Sequence, residues 1–234
     1  MNADFDLYTV RARFFPCILS ALPLIVLTFF LSADVELSRL GQYLGTVKPY
    51  AGVGLSVVGL YFYAEVIRFI SKLLEQSYFL KRSGFPTTYL MMYADSTHSK
   101  DYKNRYREKV KRDFDMELLD ETGKASEPAE GQKRLAEATK QVILKVGKGK
   151  LVFKHNIWYG FIRNLIGGAP FAVVFCLVNV VVSLTYIKST HLAVVSLVLA
   201  VPYTALLIFW KPLLSQNAEA YANQLIAEYM AEKN

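Results

Sequence analysis

The sequence predicts an all-α integral membrane protein: four transmembrane helices arranged as two hairpins, with a small helical cytoplasmic domain inserted between spans two and three. Three observations lead there. Of the 234 residues, 53% are hydrophobic, yet the chain carries a net charge of +7, a pairing that soluble domains seldom show. The apolar residues gather in four uninterrupted runs, each near the length a helix needs to cross ~30 Å of hydrocarbon at about 1.5 Å per residue. Most of the Lys and Arg lie between the second and third of those runs.

Residues 1–13 form a short N-terminal segment, and the first hairpin occupies residues 14–70. Its first span, residues 14–32, reads FFPCILSALPLIVLTFFLS behind Arg11 and Arg13. Leu31, Ser32 and Ala33 imitate a signal cleavage site, but the run exceeds the roughly 7–15 apolar residues of a secretory signal, so it reads as an uncleaved anchor. The loop that follows holds only Arg39 and Lys48, set against Asp34 and Glu36. The second span covers residues 50–70, where Gly52 and Ser56 stand at the spacing that lets another helix approach closely and argues for a packed or oligomeric bundle. The second hairpin, residues 169–210, holds spans 169–187 and 192–210 joined by a turn too short for a domain, and a C-terminal helix is expected over residues 211–234. Positive-inside weighting puts both termini and the middle segment in the cytoplasm. Pro16, Pro23 and Pro202 are expected to kink their spans.

The middle segment, residues 71–168, begins as a helix leaving the membrane and stops at Ser83 and Gly84. The short run YLMMYAD that follows fits a strand or an interfacial helix equally. Tyr102, Tyr106, Val110 and Phe114 then recur every four residues and predict a helix from about Ser99 to Leu118. Ser126, Pro128 and Glu130 signal a second helix start, and Leu135, Ala138, Val142 and Val146 give its apolar stripe. A third amphipathic piece, LVFKHNIWYGFIRNLIGG, places Trp158, Tyr159 and Phe161 at the membrane interface. Helices this short promise little core of their own, so oligomer contacts and the ends of the spans are expected to stabilise the cap.

The run KNRYREKVKR concentrates charge. On a helix, Arg105, Lys109 and Arg112 fall along one flank of the tyrosine stripe, and Lys103, Arg107 and Lys111 along the other. Glu108, Asp113 and Asp115 can pair with half of these six cations, which is the plain account of a charged helix. The rest could meet anionic lipid, an acidic protein, or a single-stranded nucleic acid whose bases stack on Tyr102 or Tyr106 while cations hold its phosphates.

Within the spans, Glu65 and Arg68 either satisfy each other at i, i+3 or line a water-filled path in an oligomer. Asn179 reads as interhelical glue or as a pore-lining group. Catalytic signals are poor. His98, His155 and His191 stand alone, no HExxH, GxSxG or Walker motif occurs, and Asp113, Asp115, Glu117, Asp120 and Glu121 read as a solvated helix end. Cys17 and Cys176 sit in apolar runs, where core or lipid-facing thiols are expected. The chain is therefore read as no enzyme, with no cofactor and no bound metal.

Three stretches carry a resemblance: GFPTTYL at residues 84–90, KNRY at 103–106, and NIWYGFIRNLIG at 156–167 leading to Pro170. Together they resemble the membrane channel effectors of Hailong-type bacterial anti-phage defence systems, over roughly residues 71–170. The resemblance implies a homo-oligomeric ion channel in the bacterial inner membrane, paired with a nucleotidyltransferase that makes single-stranded oligodeoxyadenylate. That oligomer would bind the cytoplasmic part and hold the channel closed, with its loss opening the pore. The basic rails with Tyr102 and Tyr106 would hold the ligand, and Arg163 and Asn164, between cap and third span, would couple it to the pore. A non-conducting membrane anchor or receptor that recruits a cytoplasmic partner, or a small transporter subunit, are the alternatives.

Overall fold

A computed structural model of the chain describes residues 7–32, 49–81, 84–118 and 128–232, with side chains over 7–30, 57–81, 84–118 and 130–232. Every regular element among the described residues is a helix. A π-helical segment Thr9–Phe14 leads into α1 (Phe15–Ser32). Then come α2 (Pro49–Leu80), the single turn α3 (Pro86–Tyr89), α4 (Lys100–Phe114) and α5 (Pro128–Val146). The long α6 (Lys150–Val182) ends in a second π-helical segment, Ser183–Ile187, before α7 (Thr190–Ile208) and α8 (Trp210–Ala231).

The chain divides into two compact units, Met1–Leu74 with Gly160–Trp210, and Glu75–Tyr159 with Lys211–Asn234. The first holds long apolar helices. Among the described residues, three stretches are long and apolar enough to cross a membrane: Thr9–Phe30, Lys150–Ile187 and Thr190–Ala231. They contain the expected third and fourth spans and cover the first as far as Phe30. The expected second span falls on α2, where Glu65, Arg68 and Lys72 interrupt the described part, while the side chains of its glycine-rich start, Gly52 and Ser56 included, lie outside the described residues. Phe29, Phe62, Leu184, Val201 and Ile208 are all largely exposed, an outward apolar surface that suits hydrocarbon rather than water.

Small residues bring the helices of this unit together. A Cβ on Gly168 of α6 would stand 2.7 Å from Ser20 Cβ of α1, and one on Gly160 would stand 3.1 Å from Ala12 Cβ. Gly167 meets α2 in the same way, against the Ser71 hydroxyl. Close approach of this kind is how helices associate where lipid is as apolar as leucine. The free thiols of Cys17 and Cys176 are buried in two small apolar clusters, the first with Ala64 and Ile67, the second with Ala169, Ala172 and Tyr203.

The second unit has a core of its own, contrary to the expectation of a cap leaning on outside contacts. Leu90, Met91, Tyr106, Val110, Leu135, Ala138, Val142, Val146 and Val152 close around Ala222, Leu225, Ile226 and Tyr229 of α8. The C-terminal helix, expected as a separate segment, completes that core. Ser99 caps α4, its hydroxyl accepting from Tyr102 N–H at 3.2 Å, and α5 starts at Pro128 as its signal predicts. α4 stops at Phe114, four residues short of the expected Leu118, because Asp115 turns left-handed at φ 52°. The YLMMYAD run is neither strand nor long helix: after α3 it folds into turns that bury Leu90 and Met91. Gly84 ends α2 with φ 102° and donates its N–H to Phe79 O at 2.9 Å, a closure that needs a residue tolerant of positive φ.

Candidate functional site

The six cations of α4 do not form two solvent-facing rails. Lys103 is 1% exposed; its Nζ donates to Met92 O at 2.5 Å and to Asp95 O, with the Asp95 carboxylate 3.8 Å away. Arg107, 9% exposed, donates from Nη2 to Met91 O at 3.2 Å and lies 4.2 Å over the Tyr93 ring. Lys109, 7% exposed, donates to Glu232 O at 2.5 Å and sits 5.2 Å from the Tyr229 ring centre. The physical reason is the turn-rich segment after α3, whose carbonyls have no strand or helix to accept from and must find donors elsewhere. Lys103 and Arg107 supply them, and Lys109 does the same for the end of the chain past α8. Tyr106 is also core, and burial pushes its hydroxyl up to about 12.

Arg105, Lys111 and Arg112 remain at the surface. Lys111 pairs with Glu117 at 3.0 Å, and its ammonium holds that carboxyl below the ordinary range. Arg112 lies 3.4 Å from Asp113. Asp113 itself belongs to a network, accepting from Lys145 Nζ and from the Tyr229 hydroxyl at 3.0 Å each, while Lys145 also stands 3.4 Å from Glu232. Burial works to raise the Asp113 pKa, but the hydrogen bonds from Lys145 and Tyr229 and the nearby Lys109 charge outweigh it and hold it low. The hydrogen bond to Asp113 raises Lys145 in turn. The carboxylate expected to be solvated at a helix end thus ties the ends of α4, α5 and α8 together.

What α4 presents outward is an aromatic edge with the Arg105 guanidinium beside it. Tyr102 stacks on His98 with centroids 5.1 Å apart, and Arg105 lies 5.8 Å over the Tyr102 ring. His98 Nε2 meets Asn223 Oδ1 at 3.0 Å, which fixes that ring, and the Tyr93 hydroxyl meets Asn104 Oδ1 at 2.5 Å. Tyr93 and His98 were not among the expected ligand residues; the signal was their place in the turns just before the basic run.

The expected pore and coupling residues separate into two kinds. Arg68 Nη1 bonds Glu65 Oε2 at 3.0 Å, the pair being about one-third exposed. Asn164, in contrast, is buried and donates from Nδ2 to Ala12 O at 2.6 Å. Pro16, four residues on, has no N–H to give that carbonyl the usual α-helical bond, and the Asn164 amide supplies a donor there. Leu19 O is stripped in the same way by Pro23, and the Tyr203 hydroxyl donates to it at 2.5 Å. Asn179 Nδ2 donates to Pro23 O at 2.8 Å, so it is glue between α6 and α1. Arg163, half-buried, sits one position before Asn164 on α6.

A further joint was not expected from the sequence. The Tyr159 hydroxyl donates to the buried carboxylate of Glu75, and the Tyr159 ring stacks on Tyr221 at 6.1 Å and 5°. Beside it, Glu219 Oε1 accepts from Tyr89 and from Ser215, each at 2.8 Å. Among the described residues, no three of His, Cys, Asp and Glu come together as a metal site. Comparison with protein-family models, with characterised proteins and with solved structures gave no match.

Proposed function

We propose that the chain is a homo-oligomeric ion channel of the bacterial inner membrane that serves as an anti-phage effector. Its helical second unit would sense single-stranded oligodeoxyadenylate, made by a partner nucleotidyltransferase, and both termini would lie in the cytoplasm with it. One observation carries the ligand part of this reading: the Tyr102, His98 and Arg105 stack at the outer edge of α4. A base can pack against this aromatic edge, or stack on Tyr102 once the Arg105 guanidinium swings from the ring to a phosphate, while Lys111 and Arg112 meet further phosphates. Such a combination of aromatic and cationic contacts is how single strands bind without sequence readout. The three apolar stretches support the membrane part. Differential affinity of the oligomer for two arrangements of the subunits would supply the gating energy.

Direct binding tests it. Labelled oligodeoxyadenylate is titrated into detergent-purified protein across a salt series, beside an R105A/K111A/R112A variant. The expected result is binding that weakens steeply with salt and falls by at least tenfold in the variant, followed by ligand-dependent currents in planar bilayers. Equal binding by both proteins, or none at low salt, refutes it. A second reading, a membrane receptor that conducts nothing and recruits a protein partner, is favoured by one fact: Lys103, Arg107 and Lys109 are used up inside the fold. Currents that persist without any partner exclude that reading.

A further inference from the structure

Between Glu137 and Glu219 the chain contains no acidic residue. Early in that stretch lie Lys140, Lys148, Lys150 and Lys154, all exposed. The last two lie in the first turns of α6, at the head of the stretch Lys150–Ile187 that is long and apolar enough to cross a membrane. In its first turns Lys150, Lys154 and Trp158 fall at i, i+4 and i+8, and Leu151 lies within the same arc, so one face bears two cations and two large apolar groups. Val152 and Tyr159 point the other way and are buried. Leu151 is 53% exposed, Trp158 55%, and Leu144 at the end of α5 77%. Glu228 on α8 and Glu232 just past it line a hollow together with Leu151, while the segment itself sets only cations beside its open apolar side chains, which marks a surface with a use.

We infer that this face docks on the headgroup layer of an anionic phospholipid bilayer, with Trp158 and Leu151 entering the interface and Lys148, Lys150 and Lys154 meeting lipid phosphates. The inference rests on reading the chain as a membrane protein. Charge complementarity selects the occupant. A second copy using the same face would set lysine against lysine, and a nucleic acid would meet the lysines but leave the aliphatic Leu144 and Leu151 in water. A lipid surface satisfies both, since tryptophan and leucine favour the interfacial zone while each lysine gains from the anionic leaflet. Chain continuity puts such a surface within reach, because these residues form the head of a stretch long and apolar enough to cross the membrane.

The test uses the full chain with W210F, which leaves Trp158 as the sole tryptophan. It is reconstituted into vesicles of phosphatidylcholine alone and of phosphatidylcholine mixed with phosphatidylglycerol, and Trp158 quenching by bromine-labelled forms of each lipid is measured. Stronger quenching by the brominated phosphatidylglycerol, fading as salt rises, is the expected result. Each lysine near an anionic surface weights the partition about fivefold, so K150Q/K154Q is expected to lower the preference about 25-fold, and K150R/K154R to keep it. Equal quenching by the two lipids, or a preference untouched by K150Q/K154Q, overturns the inference. So does a lysine-dependent response to oligodeoxyadenylate in phosphatidylcholine alone, which would assign the face to nucleic acid. Resistance to alkaline carbonate extraction separates the two levels. A resistant protein whose Trp158 is indifferent to lipid charge refutes the docking face only, and an extractable one refutes the membrane reading as well.

Discussion

Tyr203→Phe removes a single oxygen, and with it the donor to a carbonyl that α1 cannot serve. Pro23 lacks the N–H that would otherwise return to Leu19 O, and the Tyr203 hydroxyl replaces it at 2.5 Å from a ring that is otherwise buried among Ala169, Ala172 and Cys176. Interhelical hydrogen bonds in membranes average about 0.6 kcal/mol and reach about 1.7. An orphaned buried acceptor costs about 1–3 kcal/mol. A loss of about 1 kcal/mol is therefore expected, which for a chain of this size moves Tm by roughly 2–4 °C. The decisive assay is a double-mutant cycle with Pro23→Ala. Alanine restores the missing N–H, so Leu19 O regains an intrahelical donor and the tyrosine hydroxyl becomes dispensable. Thermal unfolding of the four detergent-purified proteins is expected to give a coupling near 1 kcal/mol, with Y203F almost silent in the P23A background. If Y203F costs the same in both backgrounds, the hydroxyl is not answering the proline and the reasoning fails.

Lys103→Met is expected to destabilise the second unit by about 1–3 kcal/mol, because the Met92 and Asp95 carbonyls lose their donor; faster hydrogen exchange over residues 91–97 checks it. Gly168→Ala is expected to cost about 1–3 kcal/mol by driving a methyl group into Ser20. Gly59→Ala, where a Cβ meets open space, is expected to be neutral or to stabilise by about 0.5–1 kcal/mol, and Tm values for the pair decide. The Asp113 network has a pH signature. Asp113 is held below its ordinary 3.8, so its contribution is present above that value and is lost as pH falls through the lower folded value. Lys145 is raised above 10.5, so its contribution is full below that value and is lost as pH rises past it. Asp113→Asn is expected to abolish the acid-side step in hydrogen exchange of the last turns of α8, and persistence of that step would assign it to another group.

Much of the fold was readable because its signals are local. The stripes of α4 and α5, the Ser99 cap and the Pro128 start each lie within one or two helical turns, and the structure reproduces them. The role of α8 was missed, although Leu214, Ala218, Ala222, Leu225 and Tyr229 repeat at helical spacing and are all buried. The stripe shows that the helix has a core-facing side but not which core, since its partners on α4 and α5 lie about a hundred residues away. The basic run failed for a related reason. A helical wheel places Lys103 and Arg107 on one flank, but not what a lysine or arginine stem can reach, and here each reaches carbonyls 8 to 16 residues back.

Asn179 acts as the interhelical glue the sequence offered, and Glu65 and Arg68 pair with each other as their spacing allowed; the bond made by Asn164 was not foreseen, though the sequence held a clue to it. Each proline inside a span strips one backbone carbonyl, four residues earlier, of its donor, and in hydrocarbon no water takes that donor's place. Pro16 and Pro23 therefore remove the α-helical donors to two carbonyls, Ala12 just before the first span and Leu19 within it. The side chains able to donate from the other spans are few: Asn164, Asn179, Ser183, Ser196 and Tyr203 among them. Matching that short supply to those two carbonyls makes interhelical bonding the first account of Asn164 and Tyr203, ahead of a pore or a coupling role. The structure adds which donor serves which carbonyl, Asn164 to Ala12 and Tyr203 to Leu19, and so ties α6 to the π-helical segment before α1 and α7 to α1 itself. Glu65 and Arg68 answer no such carbonyl, which leaves that one-third exposed pair, rather than the asparagines, as the place in the spans to look for a water-filled path.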